Sequence, residues 1–588
     1  LKTNHELSYQ NKMARWVRNP EFSYSHNSSE SESSSATFDS ERTSEQTKML
    51  IERLLTGTMS DTDRKGLVNA SFSSGGSAGE NLSAGLRLAS TIKIPKVSDY
   101  ISLYAGIRHG NSHSRSNSLN LIGYGDLSLM PSARNQHTNY RPQHNTTYSA
   151  GASYNLVLSD KLRLALGYDA NYNRDSRNSS FYLGELLSDN IHDYTLDNIR
   201  TLTRNFDPGN SYTSVQTSME QSVRAHAELR PSKKFSFNVD APLTFVDRKL
   251  DYVQEAQTYS ARYNSPTFLK PISTGISYRT RNDSTGRSFD VSLNYSMSSQ
   301  IPSLSDMITV PDTRNPLSTY IGNPDLKCST NHNLYLYLGA SLKRLYLSGG
   351  ASYYLINDDF ARGYTYETST GRRIFKTYNV DGTKSANAYV VLQGYWDKFD
   401  FFTYFNYSYS KRFDMIGENT LEPVKTSMRS SGYYSRVELS WRICPKAEIK
   451  LSAAPNFTIS KSERESYNNL NTSENEYSLS GKFTLPLNWG ISTRMTLFNR
   501  SGYDDPDMNR NDWIWNARLW KTLCKGKLML GVTAYDLLHQ MRSTYLSVSP
   551  TGKREETTNT IPRYILFHLQ YRINIQPKKQ IATRTHYY

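Results

Sequence analysis

The sequence predicts an all-β fold, a transmembrane antiparallel β-barrel of about 22 strands of which about 21 are present. Apolar and polar residues alternate over stretches of ten or more residues, whereas strands of soluble proteins usually have about five or six. The connections between these stretches are alternately short and long. Aromatic residues make up 12% of a chain with a mean hydropathy of -0.65. Such a chain is too aromatic to be disordered, yet it has no stretch apolar enough for a membrane helix.

The alternation is clearest in residues 148–173. Because successive side chains of a strand point to opposite faces, this stretch forms two strands with one apolar and one polar face, joined by a tight turn at 159–161. In a membrane barrel the apolar face meets lipid and the polar face meets a water-filled lumen. The apolar face carries Tyr148, Ala150, Ala152, Tyr154, Leu156, Leu158, Leu162, Leu164, Leu166, Tyr168, Ala170 and Tyr172.

Six further hairpins along the chain repeat this pattern. Their turns are short and lie near 231–233, 282–284, 343–344, 445–446, 488 and 525–526. The loops between hairpins are long and polar and cover roughly 116–142, 176–212, 251–269, 301–330, 413–429 and 539–561. Short periplasmic turns at one end and long extracellular loops at the other are typical of outer-membrane barrels.

The strand directions indicate how the chain is organised. Residues 1–574 form the barrel and residues 575–588 form a periplasmic C-terminal tail. The last strand runs towards the periplasm, and counting back over about 21 strands makes the first strand run the same way. Since bacterial barrels have an even number of strands, we expect the first strand of the barrel to be missing before residue 1.

One long extracellular loop, at 30–80, contains the only helical pattern that the sequence shows. Residues 43–56 predict a short helix, because Leu50, Ile51, Leu54 and Leu55 recur at helical spacing. Two roles stay open for this helix, which either packs onto the neighbouring loops or acts as a lid over a ligand.

The charge and motif content limit the possible functions. The formal net charge is +15, but the basic residues are scattered singly, which favours a basic lumen or a surface facing anionic lipid headgroups. The expected partner is therefore the lipid bilayer and not a nucleic acid. No H-E-x-x-H or paired-cysteine motif occurs, so we predict no enzyme activity, no cofactor and no resident metal. Residues 505–511 resemble the start of a calcium loop, but Arg510 and Asn516 replace its glycine and glutamate; a solvated loop is the alternative.

Tyrosines on the predicted lumen face are candidates for binding a ligand, because planar or amphipathic molecules such as sugars stack on aromatic rings. The alternative is that they pack against whatever fills the lumen. The candidates are Tyr335, Tyr337, Tyr346, Tyr354 and Tyr404.

Four segments resemble known outer-membrane proteins. Segment 301–327 is similar to an extracellular loop of TonB-dependent transporters, and 377–390 is similar to the strand entry that follows in the same family. Segments 515–543 and 561–574 resemble the penultimate hairpin and the last strand of outer-membrane barrel proteins of Bacteroidetes. The residues that carry the first resemblance are Pro302, Leu304, Asn315, Pro316, Gly322, Asn323, Pro324 and Leu326. In the family the last strand is the signal for the barrel assembly machinery, which here implicates Ile565, Phe567, Leu569, Tyr571 and Ile573.

The resemblance implies a multi-pass receptor in the bacterial outer membrane that takes up a glycan, a peptide or a metal chelate. The TonB complex would energise uptake through a plug domain, which this chain lacks, and a surface lipoprotein is a possible further partner. The alternative is a passive pore, or a structural or adhesive barrel that binds through its extracellular loops.

Overall fold

In the computed structural model of the chain, the described residues are 2–4, 7–10, 14–38, 44–95, 97–188, 190–282, 285–418, 423–464, 469–503, 509–540, 544–549, 552–557 and 563–571. They form 29 β-strands and three α-helices. The predicted tail at 575–588 lies outside these residues.

The strands follow one another along the whole described chain. In order they are β1 (Lys2–Asn4), β2 (Leu7–Gln10), β3 (Ala14–Phe38), β4 (Leu67–Lys93), β5 (Tyr100–Tyr124), β6 (Ser132–Val157), β7 (Leu162–Leu186), β8 (Asn205–Phe206), β9 (Tyr212–Ser232), β10 (Phe235–Gln254), β11 (Gln257–Thr267), β12 (Ile272–Asn282), β13 (Arg287–Gln300), β14 (Ser318–Ile321), β15 (Ser329–Leu342), β16 (Leu345–Asn357), β17 (Asp359–Tyr366), β18 (Arg373–Val380), β19 (Thr383–Trp396), β20 (Phe399–Glu418), β21 (Val424–Cys444), β22 (Ala447–Ser462), β23 (Leu470–Leu485), β24 (Trp489–Ser501), β25 (Asn511–Leu523), β26 (Leu528–Tyr535), β27 (Thr544–Ser549), β28 (Gly552–Thr557) and β29 (Tyr564–Tyr571).

The helices are short and lie in two of the long connections. They are α1 (Ser44–Thr56) and α2 (Asp61–Arg64) between β3 and β4, and α3 (Leu196–Arg200) between β7 and β9. None of the helices in the described part of the chain has the length and the apolar composition needed to cross a membrane.

Twenty strands form one antiparallel wall in which each strand pairs with the next. They are β3, β4, β5, β6, β7, β9, β10, β12, β13, β15, β16, β19, β20, β21, β22, β23, β24, β25, β26 and β29. β1 and β2 pair with β3 in one register and count as one further strand. The described wall therefore has the predicted number of about 21 strands.

The pairing register joins the predicted apolar faces into one band. Tyr154 of β6 lies opposite Leu166 of β7, which lies opposite Ala225 of β9. The match continues to the last pair of strands, where Val532 of β26 lies opposite Phe567 of β29. A slip of one residue would turn every apolar side chain towards the lumen, so the band fixes the register. The side chain of Leu166 is 61% exposed in the protein alone, as a residue facing lipid must be.

The two ends of the wall differ as predicted. The connections at one end are short, as at 233–234, 343–344 and 445–446, and those at the other end are longer. We call the end with the long connections the mouth.

The predicted loops at the mouth are partly wrong, because strands extend far into them. β5 and β6 stay paired as far as Ile122 and Ser132, so most of 116–142 is strand. In the same way, β3 reaches Phe38 and β4 begins at Leu67, which leaves only the middle of 30–80 as a connection. These extensions have no continuous apolar face, since both faces lie outside the hydrocarbon, and the alternation therefore fails to reveal them.

A small hydrophobic core, which we call the crown, lies between these extended strands and the helices. The predicted helix is present as Ser44–Thr56, and its Leu50 and Leu54 are buried. This arrangement corresponds to the packing role of the helix. The crown consists of Leu50, Leu54, Leu67, Ala70, Leu121, Ala133, Tyr194 and Ile199.

Candidate functional site

Segment 301–327, which leaves the wall after β13, crosses the mouth towards earlier strands. The side-chain amide of Gln254 on β10 donates to the carbonyl of Pro311 at 2.9 Å. The amide of Gln136 on β6 donates to the carbonyl of Arg314 at 2.8 Å. The segment therefore passes β12, β10, β9 and β7 on its way to β6. Gln254 lies on the face of β10 opposite to the exposed Leu243 and Phe245, so the segment runs along the inside of the mouth.

Polar contacts hold the turn at 312–314 in place. The Asn210 side chain donates to the hydroxyl of Thr313 at 2.8 Å and accepts from the amide of Thr313 at 3.0 Å. The guanidinium of Arg314 donates to both carboxylate oxygens of Asp312, at 2.9 Å and 2.6 Å. Burial by itself would raise the pKa of Asp312, but these bonds and the positive charge outweigh it and hold that pKa below its usual value.

The family-like residues of this segment shape its path. Pro302, Leu304 and Leu326 are buried. Gly322 is also buried, and a Cβ atom there would lie 2.3 Å from the backbone of Ile308, so no other residue fits without a shift. The Asn323 side chain donates to the carbonyl of Thr377 at 2.9 Å, which ties the segment to β18.

The remaining family-like residues lie at turns. The Asn315 side chain accepts from the amide of Leu317 at 3.0 Å, and this turn leads through Pro316 into β14. Pro324 is exposed and follows β14. All eight predicted residues therefore belong to one folded segment, but together they do not form a cluster of chemically reactive groups.

A second sheet lies at the mouth, which we call the mouth sheet. β14 pairs in parallel with β18, β18 pairs antiparallel with β17, and β17 pairs in parallel with the upper part of β20. β17 and β18 form a hairpin that is rooted between the wall strands β16 and β19.

The tip of this hairpin reaches the opposite side of the wall. The side-chain amide of Asn69 on β4 donates to the carbonyl of Thr370 at 3.1 Å. Gly371 has φ +73°, and a Cβ atom there would lie 2.0 Å from the Asn69 amide nitrogen. Eight wall strands separate β4 from β16, so the wall curves back on itself and the hairpin bridges the mouth.

One face of the mouth sheet carries alternating rings and guanidinium groups, which we call the stack. The Arg362 guanidinium lies 5.8 Å from the Tyr320 ring, and the Tyr320 and Phe375 rings are stacked at 5.2 Å. Phe375 lies 5.6 Å from Tyr364, and Arg373 lies 5.3 Å from the same ring. Arg373 is also 5.9 Å from Tyr366, which completes the stack.

The predicted lumen tyrosines lie on the polar face of the wall. The hydroxyls of Tyr337 and Tyr346 are 3.3 Å apart, and the hydroxyl of Tyr335 lies 3.1 Å from that of Tyr389. The rings of Tyr389 and Tyr404 are 6.3 Å apart. Tyr354 also lies on this face, opposite Asn333 and Ser385.

The last described strand has the apolar face predicted for it. Ile565, Phe567, Leu569 and Tyr571 alternate along β29, and Phe567 is 83% exposed. Ile573 lies outside the described residues. This strand is more exposed than a strand inside the wall because only its pairing with β26 is described.

No group of three or more His, Cys, Asp or Glu side chains suited to a metal ion occurs in the part of the chain that the structure describes. The calcium-like sequence at 505–511 lies mostly in 504–508, outside the described residues.

Sequence reasoning missed the stack. A signal was present, because Arg362, Tyr364 and Tyr366 alternate, as do Arg373 and Phe375. Each run is too short to mark a wall strand, and β14, which contributes Tyr320, is more than 40 residues away in sequence. The six side chains come together only because β18 pairs with both β14 and β17.

Comparison with known proteins gives one family match. Residues 100–571 match the model of the outer membrane protein beta-barrel family. A search of curated proteins finds no match.

Solved structures of several receptors are similar to the chain. The siderophore receptor PiuA from Acinetobacter baumannii has 9% identity and a TM-score of 0.43, over 97% of this chain and 81% of that one. The ferric yersiniabactin uptake receptor FyuA from Yersinia pestis has 9% identity and a TM-score of 0.35, over 96% and 76%. The siderophore receptor PirA from Pseudomonas aeruginosa has 11% identity and a TM-score of 0.34, over 87% and 78%.

Proposed function

Because the chain belongs to the outer membrane protein beta-barrel family and lies in a bacterial outer membrane, we propose that it is a receptor barrel for TonB-dependent uptake of a large ligand. In this proposal the mouth faces the outside of the cell and the short turns face the periplasm. The ligand is bound at the mouth and enters the lumen when the transporter is energised.

The observation that carries the proposal is the bridged mouth. A passive pore works through a path that is always open, whereas here the β17–β18 hairpin spans the mouth from β16 to β4. Segment 301–327 occupies further space inside the same opening. A mouth with these elements across it suits a receptor that holds its ligand before admitting it.

The proposal includes the partners that energise and assemble such a barrel. A plug domain within the lumen would couple the receptor to the TonB complex, and the lumen tyrosines would contact either the plug or the passing ligand. The apolar face of β29 would be recognised by the barrel assembly machinery. A surface lipoprotein would bind at the mouth.

Two measurements on the full-length protein test the proposal without knowledge of the ligand. One uses protein purified from its native outer membrane, and the other uses protein labelled in that membrane. In planar lipid bilayers we expect no stable conductance. In intact cells we expect chemical cross-linking to capture the protein together with TonB. A known TonB-dependent receptor in the same cells serves as the positive control for cross-linking. A steady open-channel conductance would overturn the proposal in favour of a passive pore or an adhesive barrel. The same holds if the control cross-links to TonB and this protein does not.

A further inference from the structure

The stack on the mouth sheet holds two guanidinium groups in fixed positions. Arg373 lies over the rings of both Tyr364 and Tyr366, and Arg362 lies over the Tyr320 ring, which stacks on Phe375. Stacking on rings uses the face of a guanidinium and leaves its in-plane N–H donors available. The rings therefore restrict the motion of both groups without using their hydrogen-bonding capacity.

Neither guanidinium has an ion-pair partner among the side chains that the structure describes. No carboxylate among these side chains lies within ion-pair distance of Arg362 or Arg373, and neither arginine side chain donates a hydrogen bond to them. Other arginines of this chain are paired, as Arg314 is with Asp312 and Arg224 with Asp240. The hairpin segment 359–380 has four basic and two acidic residues, so it carries a net charge of +2. An uncompensated, preorganised pair of guanidiniums is suited to binding anions.

The spacing of the two arginines limits the size of the ligand. Arg362 lies opposite Thr377, and Arg373 lies opposite Tyr366, so the arginines are four residues apart along the hairpin and on different strands. At about 3.3 Å per residue and about 4.8 Å between strands, their backbone positions are roughly 14 Å apart. Two guanidiniums on different strands at this backbone spacing suit two anionic groups of one extended chain better than a single compact anion.

We propose that the stack, formed by Tyr320, Arg362, Tyr364, Tyr366, Arg373 and Phe375, binds an acidic oligosaccharide whose carboxylate or sulfate groups pair with the two guanidiniums. The hydroxyls of Tyr320 and Tyr364, at the ring edges, supply hydrogen bonds to sugar hydroxyls. This inference rests on the proposed function, since it names the class of ligand that the receptor takes. The net charge of +15 favours the approach of a polyanion over long range.

Binding to the full-length protein in detergent, followed by fluorescence anisotropy at physiological salt, tests the inference. The probes are a labelled galacturonate octamer, its sulfated counterpart and a neutral glucose octamer of the same length, with ferric citrate as a competitor. We expect one or both acidic octamers to bind and the neutral octamer not to bind. Arg362→Gln and Arg373→Gln should each weaken binding at least about 10-fold, which corresponds to about 1.4 kcal/mol.

Arg372→Gln is the matched control. Arg372 is exposed in the same hairpin and carries the same charge, but it is not part of the stack. Because salt screens isolated surface charges, we expect a loss of less than about 2-fold in this variant. Unchanged heat-modifiable migration in gels should show that all three variants fold.

Four outcomes would overturn the inference. Two concern the probes: equal binding of neutral and acidic octamers, or no binding of either acidic octamer. The other two are equal losses of affinity in Arg372→Gln and the two stack variants, and displacement of the octamer by ferric citrate at equal concentration. Bilayer conductance and cross-linking to TonB do not depend on these probes, so the proposed receptor function stands or falls separately.

Discussion

The first part of the wall is much taller than the middle part, although both use the same antiparallel pairing. β3 to β7 have 25 to 27 residues each, whereas β12, β13, β15 and β16 have 11 to 14. At about 3.3 Å per residue, 25 residues extend over about 80 Å and 13 over about 43 Å. Since about 9–11 tilted residues cross the hydrocarbon, the tall strands continue for more than ten residues beyond it.

The difference shows how the solvent determines the sequence. Inside the bilayer one face must be apolar, and this rule gives the regular alternation around Leu166. Above the bilayer, both faces of β3 and β4 meet water, and residues such as Ser29 and Ser77 pair through their hydroxyls at 2.8 Å. These extensions are stabilised by the crown, a core of the kind found in soluble proteins. On the short side the mouth sheet lies above the strands instead.

The largest expected effect comes from charging the lipid face of the wall. Leu166→Arg should lower the free energy of unfolding by about 2–4 kcal/mol, because an arginine there would lie in the hydrocarbon. Asn155→Arg, on the polar face of the neighbouring strand, should have little effect. Urea unfolding in lipid vesicles, with heat-modifiable migration as the readout, measures both. Equal losses would contradict the assignment of the two faces.

An intermediate effect is expected in the crown. Leu54 is 6% exposed, and Leu54→Ala should lower the free energy of unfolding of the crown by about 2 kcal/mol. This value is at the lower end of the range for such substitutions, because the helix can move into the cavity that the substitution leaves. Hydrogen exchange should show faster opening of α1 and α3, with the unfolding midpoint of the membrane wall unchanged.

Met49→Ala is the control for the crown, because Met49 lies on the same helix but is 49% exposed. This variant should exchange like the native protein. If the unfolding midpoint of the membrane wall falls in the Leu54→Ala variant, the crown and the wall unfold as one unit.

The smallest effect concerns pH and the turn at 312–314. The pKa of Asp312 is lowered in the folded protein, so its pairing with Arg314 stabilises the turn above the unfolded pKa of about 3.9. This contribution is lost as the pH falls through the folded pKa. Asp312→Asn should therefore loosen the turn at pH 7 by at most about 1 kcal/mol, since both groups are partly exposed.

Limited proteolysis of segment 301–327 measures this loosening. At pH 7 the Asp312→Asn variant should be cleaved faster than the native protein, and treatment with an acid-active protease near pH 3 should reduce the difference. A difference that stays constant with pH would mean that the variant acts through shape and not through charge.

Much of this architecture could be predicted because the wall obeys a local rule. The alternation around Tyr154 and Leu166 assigned the two faces, and the short turns set the number of strands at about 21. The helix at 44–56 could also be predicted, since its apolar spacing is local. The extended strands could not, because a strand with water on both sides has no required pattern.

The sequence by itself determined that one face of each wall strand is apolar and the other polar, because lipid and water act on each residue separately. Only the tertiary structure decided what lies across the mouth. The stack joins Tyr320 to residues 362–375 through a parallel strand pairing, and the hairpin tip meets Asn69 some 300 residues away in sequence. Such contacts depend on the curvature of the whole wall, which no short stretch of sequence encodes.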